Sequence, residues 1–446
     1  MKPSEIVESA LETLDGGSVI LRAGHTQNLR WANSALTTNG DTFTSTMTVI
    51  AIDPSNPDRV GITAGQVFDP EAAISLVHEA QRAARSAQPT DAVPLWNGQA
   101  DPGFEQEPAV VDPGQTSTMM HTVGALLDQP QGQFGYAELD TTTTYLGTTS
   151  GTRTRHVQDA VRLEASARTE AASTWWGSNT LRADLAAVTR QQTQQLALQE
   201  KRAELTPGRH RVILTPAAVA DLLIYLTWSA GARDAIEGHS VFARPGGGTR
   251  LGQRLTGRSL RLFADPGYEG LSTASHVCTE ANSSVMSVFD NGMPLTQCDL
   301  IDDGHLVNLR ASRATSQRFE LPTAYLADNL ILEDAAGHGD FEDLIARTDD
   351  AVLITCLWYI REVDPQNLLL TGLTRDGVYR VRDGQIVAGL PNFRFNVSVT
   401  DLLSRIRDAS LSSPCLPREW ADWFTRTAMP ALLIDDFNLS SASDAR

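Results

Sequence analysis

The sequence predicts an α+β protein, with an N-terminal mixed α/β region followed by a β-rich C-terminal domain of antiparallel strands. Three observations carry that expectation. Amphipathic helical stretches and β-branched runs share the chain up to about residue 207; a short apolar strand then hands over directly to an apolar helix at Thr215; beyond it, short β-branched runs are split by Asp-Gly and Asn-Gly turns. At 446 residues, 41% hydrophobic and 20% charged, the chain exceeds one typical core. We read three units: an N-terminal α+β domain with its linker at 1–118, a strand-rich region ending in a long helix at 119–207, and the β-rich domain at 208–446.

In order, Ser4 is placed to cap a helix whose Ile6, Val7, Ala10, Leu11 and Leu14 make one apolar stripe, stopped by Gly16 and Gly17. Strands are expected near 18–23, 28–36 and 42–52, with Asn39-Gly40 as the tight turn between the last two. Asp69-Pro70-Glu71 opens a helix to about Ser86, with Ala73, Ile74, Val77, Ala80 and Ala84 facing inward. The Pro, Gly, Asp and Gln of 88–118 read as a long exposed connection, pinned by Trp96 and Phe104. From 136 to 176 the period is two, clearest where Val157, Val161, Leu163, Ala165 and Ala167 alternate with Arg162, Glu164, Ser166 and Arg168. That pattern predicts antiparallel strands with one wet face. A Gln- and Ala-rich helix from Asn179-Thr180 to about Glu204 follows.

In RVILTPAAVADLLIYLTWSA, from Arg211, Val212 to Leu214 form a strand, Thr215 a cap and Pro216 the first helical residue. Val219, Leu222, Leu223, Leu226 and Ala230 recur at spacings of three and four, so that face must be buried. Such a helix is where a metallopeptidase places paired histidines on zinc. Here Ile224, Tyr225 and Ser229 fill its middle, and the nearest histidine, His239, reads as a polar loop residue. No catalytic and no metal-ligating residue is assigned. The loop of Gly246, Gly247 and Gly248 lacks the Gly-Lys-Ser/Thr ending of a phosphate cradle and reads as an exposed loop. Further strands are expected at 259–264, 284–290, 293–299, 351–360, 378–381 and 385–387. Turns fall at Asp290-Asn291-Gly292, Asp376-Gly377 and Asp383-Gly384, and helices at 340–348 and 398–408.

With 36 Lys plus Arg against 54 Asp plus Glu, the net charge of −18 repels phosphate backbones, so nucleic acid is not an expected partner. The first residues lack a signal peptide's apolar core and no apolar run is long enough to span a bilayer; a cytoplasmic protein without membrane contact is expected. Cys278, Cys298, Cys356 and Cys415 form no C-x-x-C pair and read as free thiols.

The stretch VILTPAAVADLL from Val212, the stretch LWYIREVDPQNLLLTGLTRDGVYRVRDGQIVAGLPNFRFNVSVTDLL from Leu357 to Leu403, and the strand-and-helix order before Arg209 resemble the TldD/PmbA family over most of the chain. The second stretch is the more specific, because its order of aromatic strand, Asp-Pro turn, Leu-Thr-Gly, Asp-Gly hairpin and Asn-Phe-Arg-Phe is hard to meet by chance. The resemblance implies a heterodimeric zinc-dependent peptidase, in which a TldD-like subunit holds zinc through His-Glu-x-x-x-His on this helix and a cysteine near the C-terminus. With Leu222-Leu223 laid on the leucines before that motif, Ile224 and Tyr225 stand where the first His and the Glu would be, and Ser229 where the second His would be. Cys415 lies in roughly the region of the ligand cysteine. The chain therefore resembles the metal-free TldE/PmbA-type subunit, with zinc expected in the TldD-like partner and no cofactor in this chain.

On that resemblance the paired subunits enclose a groove for unfolded or small peptides, bound by strand addition. Trp358, Tyr359 and Arg361, and the loop of Gly246, Gly247 and Gly248, are the candidates for its wall. Two other readings stay open. One is a stand-alone hydrolase using Cys356 or Cys415 with a histidine. The other is a regulator binding DNA or a topoisomerase, for which Arg250, Arg254, Arg258 and Arg261 are the notable basic cluster.

Overall fold

In the computed structural model, three sheets order the described residues, which are 2–129, 132–170, 172–200 and 202–443. Helix α1 (Pro3–Thr13) leads into β1 (Gly17–Ala32), β2 (Ala35–Asp53), β3 (Asn56–Gln66), α2 (Pro70–Ser86), α3 (Pro113–Leu127), β4 (Gly132–Thr148), β5 (Arg153–Arg168), β6 (Ser173–Ser178) and α4 (Leu185–Glu200). The six strands pair antiparallel in the order β3-β2-β1-β4-β5-β6, so strands from both sides of the 118/119 division hydrogen-bond into one sheet. α1 and α2 bury Val7, Leu11 and Val77 against Val19, Leu21 and Met47. α3 supplies Val123 and Leu126 to a second cluster with Leu29, Trp31 and Leu163.

Several details differ from expectation for local reasons. Pro3 takes the first helical position, so Lys2 rather than Ser4 caps α1, and its backbone N–H donates to the Glu5 carboxylate at 3.0 Å. The first two expected strand runs merge into β1, and the hairpin turns at Asn33-Ser34, where φ is 49° and 59°. Two successive positive φ values suit a tight hairpin, and they leave Asn39-Gly40 inside β2. The connection read as exposed runs at its end into α3, begun by Asp112, whose carboxylate accepts from Gln115 N at 3.0 Å, and by Pro113. Trp96 and Phe104 do pin the rest: Phe104 is buried edge-on to Tyr145 at 5.9 Å, and Arg313 lies over Trp96 at 5.4 Å. The helix expected from Asn179-Thr180 begins at Leu185. The wet face of β5 is dry where it matters, because Glu164 and Ser166 are buried along with Leu163 and Ala165.

The second half comprises β7 (Gly208–Leu214), α5 (Pro216–Trp228), α6 (Ala232–Ile236), β8 (Leu260–Ala264), β9 (Cys298–Asp302), β10 (His305–Leu306), α7 (Arg313–Phe319), β11 (Leu330–Asp334), α8 (Phe341–Ala346) and β12 (Asp350–Asp364). Then come β13 (Leu369–Arg382), β14 (Gln385–Gly389), β15 (Asn392–Ser398), α9 (Val399–Ser404), β16 (Ile406–Ala409), β17 (Ser413–Cys415), β18 (Thr427–Met429) and β19 (Leu432–Ser443). One sheet runs β10-β9-β8-β11-β18-β17. In the other, β12-β7-β19-β15-β13, β13 pairs back onto β12, so the five strands close a ring, with β14 and β16 attached outside it. Most pairings are antiparallel, but β12 runs parallel to β7 and β11 to β18.

Several expectations fail here: 293–299 is strand only from Cys298, and the helix expected to 408 ends at Ser404, after which β16 takes over. No strand forms at 284–290, because Ser287 N and Val288 N donate to the Tyr325 hydroxyl and the Asn282 side chain instead of to a neighbouring strand. Asp376-Gly377 is a bulge inside β13 rather than a turn, with φ of 53° and 139°; the hairpin turn is Asp383-Gly384. Among the described residues, no helix is long and apolar enough to cross a membrane.

Candidate functional site

The Thr215 hydroxyl accepts from Ala218 N at 3.4 Å and donates to the Thr355 carbonyl at 2.6 Å, which fixes where α5 leaves β7. Nearly every side of α5 is buried. Ile224 is wholly enclosed. Tyr225 donates its hydroxyl to the Ile360 carbonyl at 3.2 Å and meets the rings of Trp228 and Trp420 edge-on, each at 5.3 Å. Ser229 Oγ donates to the Tyr225 carbonyl at 3.0 Å. Packing and local hydrogen bonds therefore occupy all three positions. Among the described residues, no group of three or more His, Cys, Asp or Glu could hold a metal ion. Burial pushes the Cys415 thiol up to about 12, and its sulfur lies 3.3 Å from the Thr427 hydroxyl. The side chains at this place do not fit zinc.

Asp221 is the charged residue within α5, and the structure buries it completely. Its carboxylate accepts from the backbone N–H groups of Arg418 at 3.1 Å and Glu419 at 3.0 Å, and the Trp420 indole donates to its main-chain carbonyl at 3.2 Å. Burial pushes this carboxyl well above the ordinary value, against the opposing effect of those two N–H bonds. Asp221 thus fastens the 416–424 loop to α5. From that loop Glu419 reaches β12, where its carboxylate accepts from Tyr359 N at 2.8 Å and Ile360 N at 3.1 Å, with Arg361 at 3.2 Å. β12 slips register between Trp358 and Arg361, and Tyr359 sits at φ 55°, a left-handed conformation that costs a non-glycine residue about 1 kcal/mol or more. The Glu419 carboxylate holds that bulge in place.

The structure separates the residues proposed for a groove wall. The guanidinium groups of Arg418 and Arg375 lie over the Trp358 ring, at 4.6 and 5.5 Å. Tyr359 is 58% exposed and carries Arg361 over its ring at 4.4 Å. Gly246, Gly247 and Gly248 form an exposed loop of their own, with φ of 88°, 111° and 82°. Among the described residues, no hydrogen bond or ion pair joins that loop to β12.

Sequence reasoning passed over the residues that tie the halves together. Glu164 of β5 accepts from the Trp175 indole at 2.9 Å and pairs with Arg162 at 2.6 Å and with Arg418 at 3.0 Å. A signal existed for Asp221, a lone acid in an otherwise apolar helix; for Glu164 the period-two pattern pointed the other way. The remaining candidates are occupied. Cys356 donates its thiol to the Arg375 carbonyl at 2.9 Å, and burial pushes it well above the ordinary range; the charged groups that perturb it are Asp376, Arg418, Asp221 and Arg375, none of them a histidine. Arg250 donates to Gln253, Arg254 to the Thr256 carbonyl, Arg258 pairs with Asp334, and Arg261 with Asp299 at 2.8 Å.

Residues 207–441 match the model of the PmbA/TldA metallopeptidase C-terminal domain. Among curated proteins no sequence matches. Solved structures share the fold at low identity. TldE from Thermococcus kodakarensis has a TM-score of 0.73 at 13% identity, over 97% of this chain and 98% of that one. A proposed modulator of DNA gyrase from Bacteroides thetaiotaomicron VPI-5482 has 0.73 at 12%, over 98% and 97%. A protein similarly described from Thermotoga maritima MSB8 has 0.68 at 15%, over 94% and 95%.

Proposed function

This chain belongs to the PmbA/TldD family, and from that premise we propose that it is the non-catalytic subunit of a cytoplasmic zinc-dependent peptidase, pairing with a TldD-like subunit that carries the metal. The observation that supports this reading is the state of α5. At the place where the family's other subunit type bears its motif, Ile224, Tyr225 and Ser229 are built into the core and its hydrogen bonds. The chain then contributes wall to a groove for unfolded or small peptides. Because Glu419 already takes the N–H groups of Tyr359 and Ile360, a peptide passing this bulge would meet the Tyr359 ring and the Arg361 guanidinium rather than a free strand edge. Strand addition belongs elsewhere along the groove.

The test is co-expression with a family member bearing His-Glu-x-x-x-His. The expected result is a stable pair with one zinc, which hydrolyses unfolded peptides and loses activity to a chelator, while the purified chain alone hydrolyses nothing. Chelator-sensitive hydrolysis by the chain alone would overturn the proposal.

A further inference from the structure

Between the N-terminal sheet and the C-terminal domain lies a cleft of ≈ 570 Å³, of a size that suits a small ligand. Trp228, Met286, Leu326 and Phe424 give it an apolar side, while Thr142, Thr144 and Gln158 of β4 and β5 give it hydrogen-bonding groups. Arg310 also lines it. The backbone of Arg310 is pinned to the end of α5 and the start of α6, donating to Ala230 O at 2.7 Å and accepting from Ala232 N at 2.9 Å. Its guanidinium donates to the Thr227 carbonyl at 3.3 Å, and among the described residues no carboxylate reaches it at ion-pair distance.

The other charges around the cleft are matched. Arg22 pairs with Glu280 at 2.7 Å, and Asp328 with Arg426 at 3.3 Å. Both lining histidines are neutral at pH 7, since burial pulls His276 down to about 4 and lowers His156 as well. Arg310 is therefore the surplus cation, and a guanidinium drawn out of water without a counter-charge is costly unless a ligand supplies one.

We propose that this cleft receives the C-terminal residue of a peptide, with the free carboxylate on Arg310, the apolar side chain against Trp228 and Phe424, and the amide groups facing β4 and β5. The proposal rests on the peptide-handling role given above and deepens it. A simple fatty acid would satisfy Arg310 but use none of the polar side chains that β4 and β5 present to the cleft.

The experiment titrates the isolated chain with acetyl-Ala-Phe as its free acid and as its C-terminal amide, read by calorimetry and by the fluorescence of tryptophan. The acid should bind roughly ten-fold or more tighter than the amide. Arg310→Gln should bring the ratio close to one, and Met286→Glu, on a partly exposed loop, should weaken the acid alone by like-charge repulsion. Melting curves confirm that each variant is folded. Equal binding of acid and amide, no saturation by either, or unchanged acid binding in Met286→Glu would overturn the proposal. Hydrolysis by the assembled pair is a separate measurement: activity without acid preference refutes the cleft and keeps the subunit role, and the converse refutes the subunit role alone.

Discussion

In the N-terminal sheet, among the described residues, every strand pair except β1–β4 joins neighbours in sequence, whereas in the C-terminal ring β7 takes both its partners, β12 and β19, from far along the chain. Hairpins close short loops at little entropic cost, while β7 gains nothing until a long loop has been closed twice. The difference teaches where fragility should sit. The first sheet can keep its register when the rest is disturbed; α5, which hangs from β7, cannot. The joint between the two, built from Glu164, Arg418, Asp221 and Glu419, should transmit damage in one direction only.

Removing β19, residues 432–443, gives the largest expected effect, because β7, β15 and β16 each lose a partner strand. Amide exchange should show protection lost across β7, α5 and β12 but retained in β1 to β5. Protection persisting in β7 would show that ring closure is not what stabilises it. Next, Asp221→Ala leaves the buried N–H groups of Arg418 and Glu419 without acceptors. It should cost about 3 kcal/mol, seen as a lower denaturant midpoint for tryptophan fluorescence with the β1–β5 amides unmoved; a cost under about 1 kcal/mol would mean that the loop is held by something else.

The smallest effect probes the joint. His276 donates to or accepts from Thr154 of β5 at 2.9 Å and meets His156 edge-on at 6.5 Å. Its folded value of about 4 lies below the ordinary 6.5, so its contribution is full above pH 6.5 and is lost as the pH falls towards 4. Discounted for the residue's partial exposure, that loss should reach about 2 kcal/mol at low pH. The difference in unfolding free energy between the parent and His276→Gln, followed from pH 7 to 4, should show this slope, and a flat difference would contradict the buried, neutral imidazole.

How much of this was legible depended on distance along the chain. The strand, cap and helix at 212–228 were read correctly because Thr215 and Pro216 act on adjacent residues. α3 was missed because its own start signal, Asp112-Pro113-Gly114, has the composition of a linker. The hairpin was misplaced because Asn39-Gly40 carries the stronger turn signature, yet Asn33-Ser34 adopts the positive φ values. Glu164 was assigned to water because alternation reports only the strand's own pleat, and the arginine that covers it lies 254 residues away. The same holds for the site. That the middle of α5 carries Ile224, Tyr225 and Ser229 and no histidine could be read from the helix alone, but the bulge at Tyr359 is shaped by Glu419, and nothing near Tyr359 in sequence announces that partner.

The placement of β19 between β7 and β15 has a consequence for biosynthesis. Gly208 leaves the ribosome roughly 220 residues before Leu432, an interval of about 10 to 45 s at ordinary elongation rates. Throughout it the apolar residues of β7 and α5 have no ring to enter, while β1 to β6 are already free to pair. Nascent chains stalled before Leu432 should therefore recruit chaperones through the 208–230 segment.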